Sequence, residues 1–144
     1  MSDDGTADLL EAARAVQANA HAPYSGFRVG AAVRSASGRV YVGANVENAS
    51  FPEGICAEAA AIGAMVAAGE RDIVEVVTIA DGERLTTCCG GCRQRLREFA
   101  TGDVPVHAAG PEGVRRTFTV DELLPGSFGP EHLPVTVSDA PRSR

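Results

Sequence analysis

The chain is predicted to be an α/β protein: a single mixed sheet of about five strands sandwiched by helices. Three observations lead there. Five short runs have β character, and one of them, Ile73 to Ala80, is almost unbroken apolar sequence. A helical repeat precedes the first of these runs. Two further helices each open at a cysteine, Cys56 and Cys89, between strands. The resulting order, α-β-β-α-β-α-β-β, covers one sheet with helices.

Asp8 can cap a first helix to about Ala20, with Leu9, Leu10, Ala13, Val16 and Ala20 along one face. The segment His21-Ala22-Pro23-Tyr24-Ser25-Gly26 reads as a loop. Phe27 to Arg34 and Arg39 to Ala44 read as a hairpin turned by Ser35-Ala36-Ser37-Gly38. Asn45 to Ile55 is polar, contains Pro52 and Gly54, and reads as a site loop. Cys56 opens a helix to about Ala68, closed by Gly69. After the strand Ile73 to Ala80, Asp81-Gly82 turns the chain. Cys89 opens a helix that ends near Ala100. Val104 to Ala109 and Arg115 to Val120 are the last strands. Leu123 to Phe128 forms a compact closing segment, and a flexible tail is expected from about residue 134.

Composition narrows the partners. With 144 residues, 44% of them hydrophobic, the chain has the size and the core of one domain spanning 1–144. Net charge is −6, and the 13 basic residues are all Arg, scattered along the chain without a basic run. A polynucleotide needs a phosphate-neutralising surface, so a small-molecule substrate is favoured over nucleic acid. The apolar stretch Ala57 to Ala68 is too short to span a bilayer and carries Glu58. The start, Met1-Ser2-Asp3-Asp4, lacks a signal peptide's basic and apolar regions. Four cysteines are too few for a disulfide scaffold. A reducing cytoplasm is the expected compartment, and it leaves the thiols free for metal.

Cys56-Ala57-Glu58 and Cys89-Gly90-Gly91-Cys92 carry the chemistry. Thiolates three positions apart can share one zinc, at Zn–S distances of about 2.3 Å. A third thiolate from a distant segment leaves one tetrahedral position for water, and Glu58 follows Cys56 closely enough to act as a base there. Taken alone, the Cys-x-x-Cys reads as well as a redox pair or half of a structural zinc site. Cys88 adds a third alternative, a closed four-cysteine site, although adjacent Cys88 and Cys89 on one ion would strain tetrahedral geometry. His21, His107 and His132 are scattered singly and read as ordinary surface or core residues.

With those motifs stand Tyr24-Ser25-Gly26-Phe27-Arg28-Val29-Gly30, Asn45-Val46-Glu47-Asn48-Ala49 and Glu122-Leu123-Leu124-Pro125-Gly126-Ser127-Phe128-Gly129. In that order, over about Tyr24 to Phe128, the chain resembles the zinc-dependent cytidine deaminases of the small tetrameric class. The resemblance implies one Zn²⁺ per chain, held by Cys56, Cys89 and Cys92. It implies hydrolytic deamination of cytidine and 2′-deoxycytidine in pyrimidine salvage, with zinc-bound hydroxide attacking carbon 4 and Glu58 shuttling protons. It places Asn45 and Glu47 on the ribose, Phe27 on the pyrimidine ring and the Ala57 backbone at the base. Phe128 matches an aromatic that reaches a neighbouring subunit's site, and Phe51 stands where relatives often have Tyr. A homotetramer with shared sites is implied.

Two positions depart from the pattern. Relatives often have Arg where Ala59 stands, and usually Pro where Cys88 stands. Three thiolates on Zn²⁺ leave a charge of −1, which the helix N-termini or Arg93 could offset. The helix after Cys56 is small-residued on every face, which either reflects alanine's helix propensity or marks close contact with a second subunit. Two other functions remain open at this point: deamination of a modified cytosine nucleoside of the blasticidin type, and a non-catalytic zinc-stabilised binding protein.

Overall fold

A computed structural model describes residues 3–133. The expected tail from about 134 lies outside the described residues. The elements in chain order are helix α1 (Asp3–Gln17), strands β1 (Val29–Ser35) and β2 (Val40–Ala44), helix α2 (Ala57–Ala67), strand β3 (Ile73–Ala80), helix α3 (Gly90–Phe99), strands β4 (Pro105–Gly110) and β5 (Gly113–Thr119), and the short helix α4 (Val120–Leu123). Two 3₁₀ turns, Phe51–Glu53 and Pro130–His132, complete the set.

The five strands form one sheet in the order β2-β1-β3-β4-β5. Only β3 and β4 are parallel; the crossover between them carries α3, and every other pairing is antiparallel. The sheet is therefore mixed, as expected, with helices on both faces. The burial of β3 explains its sequence. Val76 packs with Ala57, Ala61, Ile62, Met65, Cys92 and Leu96 under α2 and α3. Val77 and Ile79 point the other way and pack with Leu9 and Ala13 of α1. A strand covered on both faces has no polar alternation to show.

Glycines set how closely the helices approach. A Cβ at Gly43 on β2 would come within 2.4 Å of the Ala61 nitrogen and 2.5 Å of the Ala57 oxygen. A Cβ at Gly30 on β1 would meet the Ala13 carbonyl oxygen at 2.2 Å. Gly43 thus seats the first two turns of α2 directly on the sheet, with Ala57 and Met65 fully buried. Truncating Met65 to Ala should cost about 2–5 kcal/mol.

Several boundaries differ from the sequence reading: β1 runs from Val29 to Ser35, leaving Phe27 in the loop before it and taking Ser35 out of the expected turn, and β5 begins two residues early, at Gly113. Helix α1 begins at Asp3, so Asp8 is an interior residue and not a cap; it ends at Gln17, because Asn19 and Ala20 turn back through bonds to Val16 and Gln17 carbonyls. Strand β5 stops at Thr119. Val120 is the first residue of α4, whose capping box pairs the Thr119 hydroxyl with the Glu122 nitrogen and the Glu122 carboxylate with the Thr119 nitrogen.

The segment from Asn45 to Ile55 is tethered to its surroundings. Val46 and Ile55 exchange backbone bonds at 2.9 Å each, while His21 donates to the Asn45 oxygen and Glu47 to the His21 oxygen. These bonds dock the segment between the α1–β1 connection and the start of α2.

Candidate metal centre and active site

The first residues of α2 and α3 meet beside β3. Cys56 is the N-cap of α2 and Cys89 the N-cap of α3, with Cys92 in the first turn of α3. Among the described residues, Cys56, Cys89 and Cys92 form one group whose sulfurs all lie within 4.8 Å of one another. Cys56 Sγ and Cys89 Sγ are 3.7 Å apart. Two ligands on a tetrahedral zinc with 2.3 Å bonds would stand about 3.8 Å apart, so the donor set and its spacing suit zinc. All four cysteines are free thiols. Cys88 is buried beside the group without belonging to it, and burial pushes its thiol up to about 12.

Without metal, burial raises the Cys56 and Cys92 thiols above their usual value. Burial also acts on Cys89, but bonds from the Cys92 backbone nitrogen and the Cys56 thiol outweigh it and hold that thiol low. A coordinated zinc overrides these differences, because a ligating thiol is deprotonated outright. Two helix N-termini add partial positive charge at the same place.

Glu58 lies in the first turn of α2 and is 4% exposed. Thr78 Oγ1 on β3 donates to its Oε2 at 3.3 Å. Burial raises the Glu58 carboxyl above the usual range, and the Thr78 hydroxyl and the charge of Arg95 act in the opposite direction. Such a carboxyl holds a proton more readily than a free one, which suits a group that must both take up and return a proton.

A cavity of 370 Å³ opens against this wall. Its lining includes Phe27, Asn45, Glu47, Cys56, Ala57, Glu58 and Cys89, so most of the residues singled out in the sequence border one space. It also includes Val29, Ile55, Thr78, Thr86 and Thr87, which the sequence reading missed. Thr86 and Thr87 had no motif of their own; their only signal was a position just before the second cysteine pair. The volume falls in the range of small-molecule sites.

Glu47 and Asn45 have different local tasks. The Glu47 carboxylate accepts from the Tyr24 nitrogen at 3.0 Å, the Ser25 nitrogen at 3.1 Å and the Ser25 hydroxyl. These bonds, the Ser25 hydroxyl foremost, hold the carboxyl below its usual range. About four lone-pair sites exist on a carboxylate, so one remains for a ligand hydroxyl. Asn45 clamps the start of β1: Nδ2 donates to the Phe27 oxygen at 2.9 Å, and Oδ1 accepts from the Val29 nitrogen at 2.9 Å. Its amide is oriented by the backbone before any ligand arrives.

Phe128 stands apart from this group. It is 54% exposed, stacks on His132 with ring centroids 5.0 Å apart, and does not line its own chain's cavity. Within one chain the structure therefore does not bring it to the other predicted substrate residues. Arg93 is also placed differently from expectation. Its guanidinium donates to the Cys88 oxygen, the Leu123 oxygen and the Thr87 hydroxyl, tying α3 to its neighbours and leaving the sulfurs aside.

Residues 5–108 match the family model for the cytidine and deoxycytidylate deaminase zinc-binding region. The chain belongs to the cytidine and deoxycytidylate deaminase family. A cytidine deaminase from Halalkalibacterium halodurans is 39% identical over 125 residues, 87% of this chain and 95% of that protein. A probable cytidine deaminase from Dictyostelium discoideum is 39% identical over 136 residues, covering 92% of this chain and 90% of its own length. Among solved structures, the cytidine deaminase of Burkholderia pseudomallei superposes with a TM-score of 0.81 at 35% identity, covering 89% of this chain and all of that one. That of Mycobacterium leprae gives 0.71 at 38% identity, over 83% and 96% of the two chains. Membership in this deaminase family, together with the three-cysteine cluster, gives the chain one Zn²⁺ as its cofactor.

Proposed function

We propose that this chain is a zinc-dependent cytidine deaminase that hydrolyses cytidine and 2′-deoxycytidine to uridine and 2′-deoxyuridine, releasing ammonia, in pyrimidine salvage. One observation carries the reading: a single cavity joins the three-cysteine cluster and the buried Glu58 carboxyl to the preorganised Glu47 carboxylate. Its relatives named as cytidine deaminases support the same reading.

Cys56, Cys89 and Cys92 would hold the zinc. Bound there, zinc supplies Lewis acidity that brings the pKa of a water down to about 7. Glu58 accepts the proton of the attacking water and delivers it to ring nitrogen 3 as the oxygen bonds to carbon 4. It then takes the proton of the new hydroxyl and hands it to the amine, the bond from carbon 4 to nitrogen breaks, and ammonia leaves. Thr78 keeps the carboxylate aimed during both transfers. Phe27 packs on the ring, the Ala57 backbone meets the base, and Glu47 and Asn45 receive the ribose.

The assembly belongs to the same proposal. The outer face of α2 exposes Gly63, Ala64 and Ala67, and Phe51, packed edge-on against Tyr24, is 74% exposed. Small side chains allow helices to approach closely, and a homotetramer would cover both features and bring Phe128 to a neighbour's cavity. Among the described residues no helix is long and apolar enough to cross a membrane, and a cytoplasmic location is part of the same proposal.

Ammonia release from a panel of cytidine, 2′-deoxycytidine, 3′-deoxycytidine and a blasticidin-type cytosine nucleoside tests the reading. Preference for the first two supports it. Turnover of the modified nucleoside alone would transfer the activity to that substrate class, and no turnover by zinc-replete protein would leave a binding protein.

A further inference from the structure

A cation outside the motifs described so far reaches the cysteine cluster. Arg95 stands three residues after Cys92 on α3, a spacing that puts both side chains on one helix face. Its Nη1 donates to Cys92 Sγ at 3.7 Å. The residue between the paired cysteines makes room for it. A Cβ at Gly91 would come within 3.1 Å of that same nitrogen, closer than an ordinary contact. Cys92 Sγ is the buried sulfur of the group, so a donor aimed at it acts where water screens least.

Three thiolates around a divalent cation leave one negative charge, and the Glu58 carboxyl stands beside it. Ala59 offers no compensating donor, and the guanidinium of Arg93 is engaged with two backbone carbonyls and the Thr87 hydroxyl. Arg95 supplies both a charge and a directed N–H. A thiolate that accepts such a bond competes less strongly for protons and donates less electron density to its metal.

We propose that Arg95 is a positioning residue of the zinc centre, bonding the Cys92 sulfur through the space left by Gly91 and offsetting the surplus charge of the three thiolates. The proposal rests on the reading that Cys56, Cys89 and Cys92 hold the metal. Arg95 itself touches no substrate in it; its effect passes through the sulfur.

The test compares wild type with Arg95→Ala, Arg95→Gln and Arg95→Lys in two measurements independent of turnover. The first is the thiolate-to-metal charge-transfer band of the cobalt(II)-substituted protein. The second is the rate of zinc release to a chromophoric chelator. Without the arginine the sulfur is easier to protonate and its charge is uncompensated, so Arg95→Ala is expected to move the band to lower energy and to speed release about 10-fold or more. Arg95→Lys, which returns the charge, and Arg95→Gln, which returns an N–H, should each restore part of the difference. Band and release rate unchanged in Arg95→Ala would overturn the proposal. So would changes that neither Lys nor Gln eases, since those would trace to packing of the arginine stem. A wild-type protein with no thiolate–cobalt band would overturn the zinc reading itself, and a wild-type band unmoved by Arg95→Ala would overturn the role of Arg95 alone.

Discussion

Thr78 on β3 and Glu58 on α2 are joined by a 3.3 Å hydrogen bond in which the hydroxyl donates to Oε2. The bond crosses from the central strand to the helix that Gly43 seats on the sheet. It holds one oxygen of a carboxyl that is buried between the helix and the sheet. The sheet thereby sets where a proton can be taken up and returned, while the two cysteine-capped helix starts set where a metal can sit.

Metal content should separate the four cysteines. Cys56→Ala, Cys89→Ala and Cys92→Ala each remove one of three converging sulfurs and are expected to lower bound zinc well below one per chain. Cys88→Ala should keep it, because Cys88 lies outside the group. Metal analysis of the purified variants decides, and a Cys88→Ala protein depleted of zinc would favour a closed four-cysteine site.

Glu47→Gln should impair the enzyme through the sugar. The free acceptor position on Glu47 offers a charge-assisted bond worth about 1.5–3 kcal/mol. Wild type is therefore expected to favour cytidine over 3′-deoxycytidine by roughly tenfold or more in kcat/KM, and the variant much less. An unchanged preference would place the ribose elsewhere.

The raised carboxyl of Glu58 makes a prediction about stability. Burial favours its neutral form in the folded chain. The unfolded chain therefore loses the proton at lower pH, near the ordinary value of about 4.3. Between that value and the folded pKa, stability falls as pH rises, and above the folded pKa the full cost is present. Glu58→Gln removes the charge and keeps the shape. In zinc-stripped protein at pH 7 it should raise Tm by about 3 °C for each kcal/mol relieved, with the difference shrinking toward pH 4. A variant less stable than wild type at pH 7 would show that the carboxylate is better solvated than its burial implies.

Much of this was legible from residues whose chemistry and local conformation coincide. Cys56 and Cys89 each begin a helix and each point a sulfur at the same place, so one pattern reported both structure and site. Ile73 to Ala80 matches β3 because burial on both faces leaves a distinctive apolar run. The misses were of another kind. Nothing local says that Arg93 turns to the Leu123 carbonyl while Arg95 turns to a sulfur; that depends on what α4 places beside α3. The Thr119-Val120-Asp121-Glu122 capping box is readable in the sequence, but the β-prone run before it extends the expected strand to Val120. Thr86 and Thr87 reach the cavity only because the β3–α3 connection folds back over it. Phe128 lies off its own chain's cavity, and nothing within one chain says what it would reach.

Shared sites predict complementation. Phe128 is exposed and lies off its own chain's cavity, so it would complete another's. If Phe128→Ala and Glu58→Ala are each severely impaired alone, dissociating and reassembling them together should return a fraction of wild-type activity. A tetramer with verified subunit exchange and no recovery would confine Phe128 to its own subunit.

The most direct measurement pairs zinc content with ammonia release from cytidine, for wild type and for Glu58→Ala. About one zinc per chain and an unchanged fold are expected in both, with turnover in wild type and a loss of at least about 10²–10⁴-fold in the variant. Near-native turnover by folded, zinc-replete Glu58→Ala would contradict the role of Glu58 in proton transfer.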